Sequence, residues 1–369
     1  EVGGSPAEPA LSAADFHVAM AERQRLWPHS LNATSTHDSK RSEDMRCRLA
    51  VLSEMSGEWA RAVGRWHRRF GPRLAGAGRQ VAFDTELVVY QTVFGAWPLH
   101  DRRWEDFPDR IVRYVRKAAH EAKRETSWVR PDEAYEALLE RFVRRLLGPD
   151  EPEFRREMAR LVRRAAPAAL ANTLGLLALK VTAPGVPDFY QGAEDTLVAL
   201  VDPDNRRPVD FDDLAVRLTR GAQWADAAPE ERRAVVRELA AAGLAGDLKL
   251  FVTRQLLQSR RRQEELFAAG RYLPLATRGP GRDHVVAFAR RRRRSWSVTV
   301  VPRCTVAVRG PGRPAVGDVW KSTSVVLPEG APTSFRDVVT GTEIAARRGA
   351  LAVRDLYAVL PVAVVLGDR

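Results

Sequence analysis

The feature that most constrains this chain is a change of period along its length. Between Ser42 and Ala165 apolar residues recur at steps of three and four, whereas from His284 onward they alternate in short runs separated by glycine and proline. The first pattern writes amphipathic helices and the second writes strands, so neither an all-helical nor an all-β fold can satisfy both. In the clearest helical stretch, Met45, Leu49, Leu52, Met55, Trp59, Val63, Trp66 and Phe70 form one stripe. This predicts a long helix that starts at Ser42 as cap, carries Glu43 and Asp44 at its positive end, and stops at Gly71-Pro72.

Other segments fit around these two blocks. A short helix is expected around Ala13–Leu26, and further helices at about 81–94, 106–125, 132–147 and 152–164, with no strand inside 42–165. A separate buried helix, Ala168–Val181, leads through Pro184–Pro187 to a short strand at Asp188–Gly192 that opens into a loop, and helices return at about 211–219, 229–243 and 247–268. Strands are expected at 285–289, 296–301, 324–327, 334–339, 350–353 and 359–366. With 369 residues the chain has room for two or three domains and a sizeable core.

Charge and cysteine content exclude several classes. Lys+Arg is 59 and Asp+Glu 47, giving a net charge of +12, but only six of the basic residues are lysines. So lopsided an arginine excess, beside abundant alanine, reflects coding bias as much as function. The two cysteines, Cys47 and Cys304, are too far apart for a metal knuckle or a redox pair, and a reducing cytoplasm is expected. The longest apolar run, Ala165–Leu179, ends at Lys180, short of the ~20 residues of a membrane span.

Three clusters can carry chemistry. The first, Thr34–Asp44 (TSTHDSKRSED), lies between a strand end and a helix start, where α/β-barrels gather catalytic residues. From spacing alone it reads first as caps (Asp38, Ser42) with solvated Lys40 and Arg41. The second, Pro184–Glu194 (PGVPDFYQGAE), has backbone-fixing prolines and glycines suited to a pocket rim; Phe189 or Tyr190 would stack on a ligand ring or simply be buried. The third is the run Arg290–Arg294, which suits either phosphate binding or a solvated hairpin tip between two apolar strands. No glycine-rich phosphate loop, HExxH or nucleophile motif occurs.

Taken together and in order, these segments resemble one family. Thr34–Leu49 (TSTHDSKRSEDMRCRL), Pro184–Gly192 (PGVPDFYQG), Leu200–Asp210 (LVDPDNRRPVD) and Glu1–Pro6 (EVGGSP) are similar to stretches of the maltooligosyltrehalose synthases, the glucan 1-α-glucosylmutase branch of the α-amylase superfamily. The chain's end, through Ser334–Gly341 and Leu351–Leu366, resembles that family's closing β-domain, and Ser39 stands where the family pattern has threonine. The resemblance implies an α/β fold: the C-terminal part of a (β/α)8 barrel with a large helical insertion, followed by a β-sandwich. On that basis 1–41 is a barrel segment with the His-Asp motif, 42–165 the insertion, 166–275 the last barrel strand and helices, and 276–369 the β-domain.

The implied reaction converts the reducing-end α-1,4 bond of a maltooligosaccharide into an α,α-1,1 bond, with Asp38 as one of three catalytic carboxylates. His37, Lys40 and Arg41 are implied to bind substrate, and no metal or other cofactor is implied. The nucleophile and general acid of such chemistry come from earlier strands, and Glu8, Asp15 and Glu22 do not replace them. The expected partner is therefore the N-terminal part of the same enzyme, with neither nucleic acid nor membrane. An amylase-type hydrolase or 4-α-glucanotransferase would share Asp38 and the barrel. A basic nucleic-acid-binding module is the alternative of another class.

Overall fold

A computed structural model describes residues 11–71, 75–76, 79–99 and 104–368, so Glu1–Pro6, Glu8 and Pro72 lie outside the described residues. The chain opens with α1 (Ala13–Leu26) and a three-residue strand β1 (Leu31–Ala33). The expected long helix is two, α2 (Glu43–Glu54) and α3 (Ser56–Phe70), with Gly71 closing the second. The break falls at Met55, whose N–H is shared between the carbonyls of Val51 and Leu52, just before Ser56-Gly57, both weaker helix formers. Every residue of the predicted stripe nevertheless packs into or against one core.

A short hairpin of β2 (Ala75–Gly76) and β3 (Arg79–Gln80) interrupts the block that was expected to hold no strand. Then follow α4 (Phe83–Ala96), α5 (Phe107–Ala122), α6 (Glu133–Leu147) and α7 (Pro152–Thr182). The last corrects a second expectation, because it runs unbroken through Pro167 where two helices were anticipated. An interior proline costs about 3 kcal/mol. Here the carbonyl it leaves unpaired would be that of Arg163, at an exposed position where water can serve it. Burial of Leu161, Leu170, Leu174, Leu177 and Val181 along one 31-residue helix offsets the cost. By length and composition α7 could cross a bilayer, and 72% of its most apolar 18-residue window is buried inside the fold.

After α7 come β4 (Val186–Asp188), α8 (Phe211–Asp226), α9 (Pro229–Ala242), α10 (Leu248–Arg262) and α11 (Glu264–Ala269). β4 pairs in parallel with β1, matching Leu31 with Val186 and Ala33 with Asp188, so two strands far apart in sequence form one small parallel sheet. Gly185 makes the entry into β4 possible. Its φ is +120°, and a Cβ there would lie 2.5 Å from Asn32 Oδ1 and 2.7 Å from the Ser30 carbonyl.

The remaining strands are β5 (Arg271–Leu275), β6 (Thr277–Arg278), β7 (Val285–Arg292), β8 (Ser295–Pro302), β9 (Ser324–Val326), β10 (Ser334–Asp337), β11 (Glu343–Ala345), β12 (Ala350–Ala352) and β13 (Ala363–Asp368). They make a six-stranded antiparallel sheet in the order β11-β10-β13-β8-β7-β5 and a three-stranded sheet β12-β9-β6. Trp296, Val298 and Val300 of the larger sheet share a core with Val325 and Leu351 of the smaller. On its other side the larger sheet packs on α7, where Thr299 and Thr182 join hydroxyls at 2.9 Å. The molecule is thus a mixed α/β fold whose helices and strands meet in continuous cores.

The arginine run departs from the hairpin-tip expectation at its first residue. Arg291 to Arg294 are exposed around the β7–β8 turn, but Arg290 is only 1% exposed. Its guanidinium donates to the carbonyls of Thr182 (3.1 Å), Phe267 (2.9 Å) and Gly270 (3.1 and 2.9 Å), at the ends of α7 and α11. Strand alternation aims every second side chain inward, and here the inward space ends at two negative helix termini.

Candidate functional site

The carboxyl end of the β1–β4 pair gathers the quoted motifs. The chain leaves β1 through Thr34 and Ser35, both held from below. Thr34 donates its hydroxyl to the Glu43 carboxylate, and its carbonyl accepts from Arg46. Ser35 Oγ accepts the Glu43 N–H at 2.9 Å, so Ser35 caps α2. Ser42, the expected cap, makes no such bond. It occupies the cap position but donates Oγ to the Leu197 carbonyl (2.5 Å) and accepts the Ala199 N–H (3.0 Å). The backbone needed a tie to the segment after β4 more than a second cap.

Between these anchors Thr36–Ser39 forms a tight turn. The Thr36 N–H donates to Ser39 Oγ at 3.0 Å and the Ser39 N–H to the Thr36 carbonyl at 3.2 Å. A serine hydroxyl therefore does what a threonine would do at that position. The turn presents His37 and Asp38 outward, with side chains 57% and 77% exposed and Nε2 3.3 Å from Oδ2. The His37 carbonyl accepts from Asn205 Nδ2 at 2.8 Å. Asp38 caps no helix. Lys40 pairs with Glu121 at 3.0 Å, and Arg41 lies over the Tyr114 ring at 5.7 Å, both partners being on α5.

The DPDNRRPVD segment is pinned from α5 as well. Arg110 on α5 is buried and holds Asp204 through two bonds of 2.8 and 2.9 Å, with a third to the Val198 carbonyl at 2.9 Å. Burial raises the Asp204 carboxyl, but Arg110 outweighs it and leaves the group below the usual carboxylate range. Lys117 adds a bond to the Asp202 carbonyl at 2.8 Å.

Beneath the loop lies a charge cluster that sequence reasoning missed. Glu43, Asp44, Lys180 and Lys249 are each at most 3% exposed. Lys249 Nζ donates to Glu43 at 2.9 Å, to Asp44 at 2.8 Å and to the Asp195 carbonyl at 3.0 Å. Lys180 donates to Glu43 at 3.1 Å and sits 3.8 Å from the centre of the Phe189 ring. Asp44 accepts the Leu197 N–H at 2.8 Å. Burial alone would raise the Glu43 carboxyl; Lys249 and Lys180 reverse this and pull it down to about 2. Burial would lower the Lys249 ammonium, and the two carboxylates hold it above its ordinary value instead. Glu43 and Asp44 read in the sequence as helix-dipole residues, and only the lysines carried a signal, as rare ammonium groups in an arginine-rich chain. Phe189 is accounted for by its lysine.

A polar, solvent-facing loop at the carboxyl end of parallel strands, seated on buried ion pairs, has the form of an α/β-enzyme site. Comparison with known proteins gives that form a family. The structure of maltooligosyltrehalose synthase from Arthrobacter ramosus superposes with a TM-score of 0.78 at 33% identity, over 99% of this chain and 42% of that one. A Sulfolobus tokodaii protein described as a hypothetical maltooligosyl trehalose synthase superposes at 0.71 with 26% identity, over 99% of this chain and 42% of that one. A Mycobacterium tuberculosis protein bearing the provisional name maltooligosyl trehalose synthase is 37% identical over 370 residues, covering all of this chain. No protein-family profile matches the chain. The chain spans 42% of these relatives' length and is homologous to the C-terminal part of the maltooligosyltrehalose synthases.

Proposed function

We propose that this chain supplies one side of the active site of a glucan 1-α-glucosylmutase. In this reading β1 and β4 are the late and last strands of a (β/α)8 barrel, 42–165 is a helical insertion, and 276–369 is a closing β-sandwich. The nucleophile and general acid, which such chemistry needs about 5 Å apart, come from the part of the relatives that this chain does not span. The substrate is a maltooligosaccharide. Its reducing-end glucose is released inside the site, turns, and is rejoined through its own anomeric oxygen.

Asp38 is then the third carboxylate, holding sugar hydroxyls and offsetting positive charge on the oxocarbenium-like transition state. His37 binds the same sugar, and Lys40 and Arg41 reach the released glucose from the side of α5. The observation that carries the reading is convergence. Three segments separate in sequence, Thr34–Asp44, Pro184–Glu194 and Leu200–Asp210, meet at one end of the β1–β4 pair, and all of them lie in the span shared with the synthases. The exposed apolar side chains of Leu31 and Val186, paired across β1 and β4, suit strands that continue into a larger barrel.

The test is Asp38→Asn in a full-length enzyme containing this chain. It keeps the shape and removes the charge, and the expected loss in kcat is roughly 10²–10³, or about 3–4 kcal/mol. Near-normal turnover would make Asp38 an ordinary turn residue.

A further inference from the structure

The buried cluster beneath the His37–Asp38 turn is larger than a helix start requires. Two carboxylates and two ammonium groups are withdrawn from water, which costs several kcal/mol per ion unless geometry and hydrogen bonds repay it. Here the bonds tie the turn after β1 to the segment after β4. Glu43 takes the hydroxyl of Thr34 on the turn that follows β1. Asp44 takes the Leu197 N–H, and Lys249 the Asp195 carbonyl, both on the segment after β4. Lys180 comes from the end of α7 and carries the Phe189 ring on its ammonium. Ser42 and Asn205 close the same seam above, at Ala199 and at the His37 carbonyl.

We propose that Glu43, Asp44, Lys180 and Lys249 are positioning residues, which fix the His37–Asp38 turn against the segment after β4 and so set how closely the site excludes water. The inference rests on the reading of Asp38 given above. None of the four side chains is exposed enough to meet substrate, so each acts through the turn it holds. Ionic bonds suit this task better than apolar packing, because direction and register are fixed by donor and acceptor rather than by volume. A turn released by an ångström loses rate steeply, about a hundredfold in well-ordered sites. The same looseness admits water to the glycosyl intermediate, and hydrolysis then competes with isomerisation.

The experiment uses the full-length enzyme with the paired replacement Glu43→Gln/Lys180→Met, which removes one charge of each sign and leaves Lys249 with Asp44. Replacing a buried pair by groups of similar volume is often close to neutral for stability. The melting temperature is expected to stay near that of the parent. We expect kcat on maltopentaose to fall about 10- to 100-fold with KM changed little, and free glucose per glucan isomerised to rise several-fold. A purely structural role would move neither the kcat-to-KM split nor the glucose fraction in a variant that folds. If the pair does not melt cooperatively, Glu43→Asp carries the test, since it keeps both charges and shortens the reach by one carbon. Unchanged kcat and glucose fraction, alongside an inactive Asp38→Asn, would overturn the positioning role and leave the functional reading intact. Normal turnover by Asp38→Asn would remove both.

Discussion

Lysine is scarce in this chain, at six of 59 basic residues, and four of the six lie at the candidate site. Lys40 meets Glu121, Lys117 the Asp202 carbonyl, and Lys180 and Lys249 the buried carboxylates. The other two, Lys123 and Lys321, both take positive φ angles, at 55° and 51°. A compact ammonium fits a carboxylate cage that a planar guanidinium would overfill, so composition here carried information that net charge hid. Arg290 shows the opposite limit of sequence reading, since five identical neighbours gave no hint that one was buried. Its guanidinium is desolvated enough for the pKa to fall to about 10, and it satisfies three carbonyls. Arg290→Ser is expected to cost about 2–4 kcal/mol in denaturant unfolding, the penalty for unpaired buried acceptors and lost packing. Arg292→Ser with Arg294→Ser should stay within about 0.5 kcal/mol. Equal effects would show that burial of Arg290 contributes nothing.

At the scale of elements, periodicity located most helices and strands, because each buries one face and that face is written at 3.6 or 2 residues. It failed where tertiary contact decides. The break at Met55 and the continuity through Pro167 depend on what α2, α3 and α7 pack against, and β5 before residue 276 is recruited by pairing with β7. The site was legible as sequence segments but not as an arrangement, since Arg110 looks like any other outer-face arginine until Asp204 is placed beside it. That pair gives a signed pH dependence. The Asp204 carboxyl lies below its usual 3.8, so it adds stability that is fully present above that value and is lost as pH falls through the depressed one. Asp204→Asn, which leaves Arg110 buried and unpaired, should cost about 3 kcal/mol at pH 6. The gap between parent and variant should narrow below about pH 3.8. A gap independent of pH would show that the ion pair is not its source.

At the scale of the molecule, the two sheet systems differ in how they are covered. The C-terminal strands form two sheets around a shared core, whereas β1 and β4 make a two-stranded parallel sheet, an arrangement that ordinarily needs cover on both faces. Leu31 and Val186 stand exposed on it, and Trp27 stands exposed just before β1. Homology to 42% of the synthases' length, the site loop at the end of these strands and this apolar margin all agree with one side of a shared active site. The central claim is that the finished site isomerises glucan rather than hydrolysing it. Its most direct test is product analysis of the full-length enzyme on maltopentaose, by mass and by reducing-end assay. The account predicts a product of unchanged mass without a reducing end, and only a small fraction of free glucose. Glucose and shorter maltooligosaccharides as the main products would contradict it.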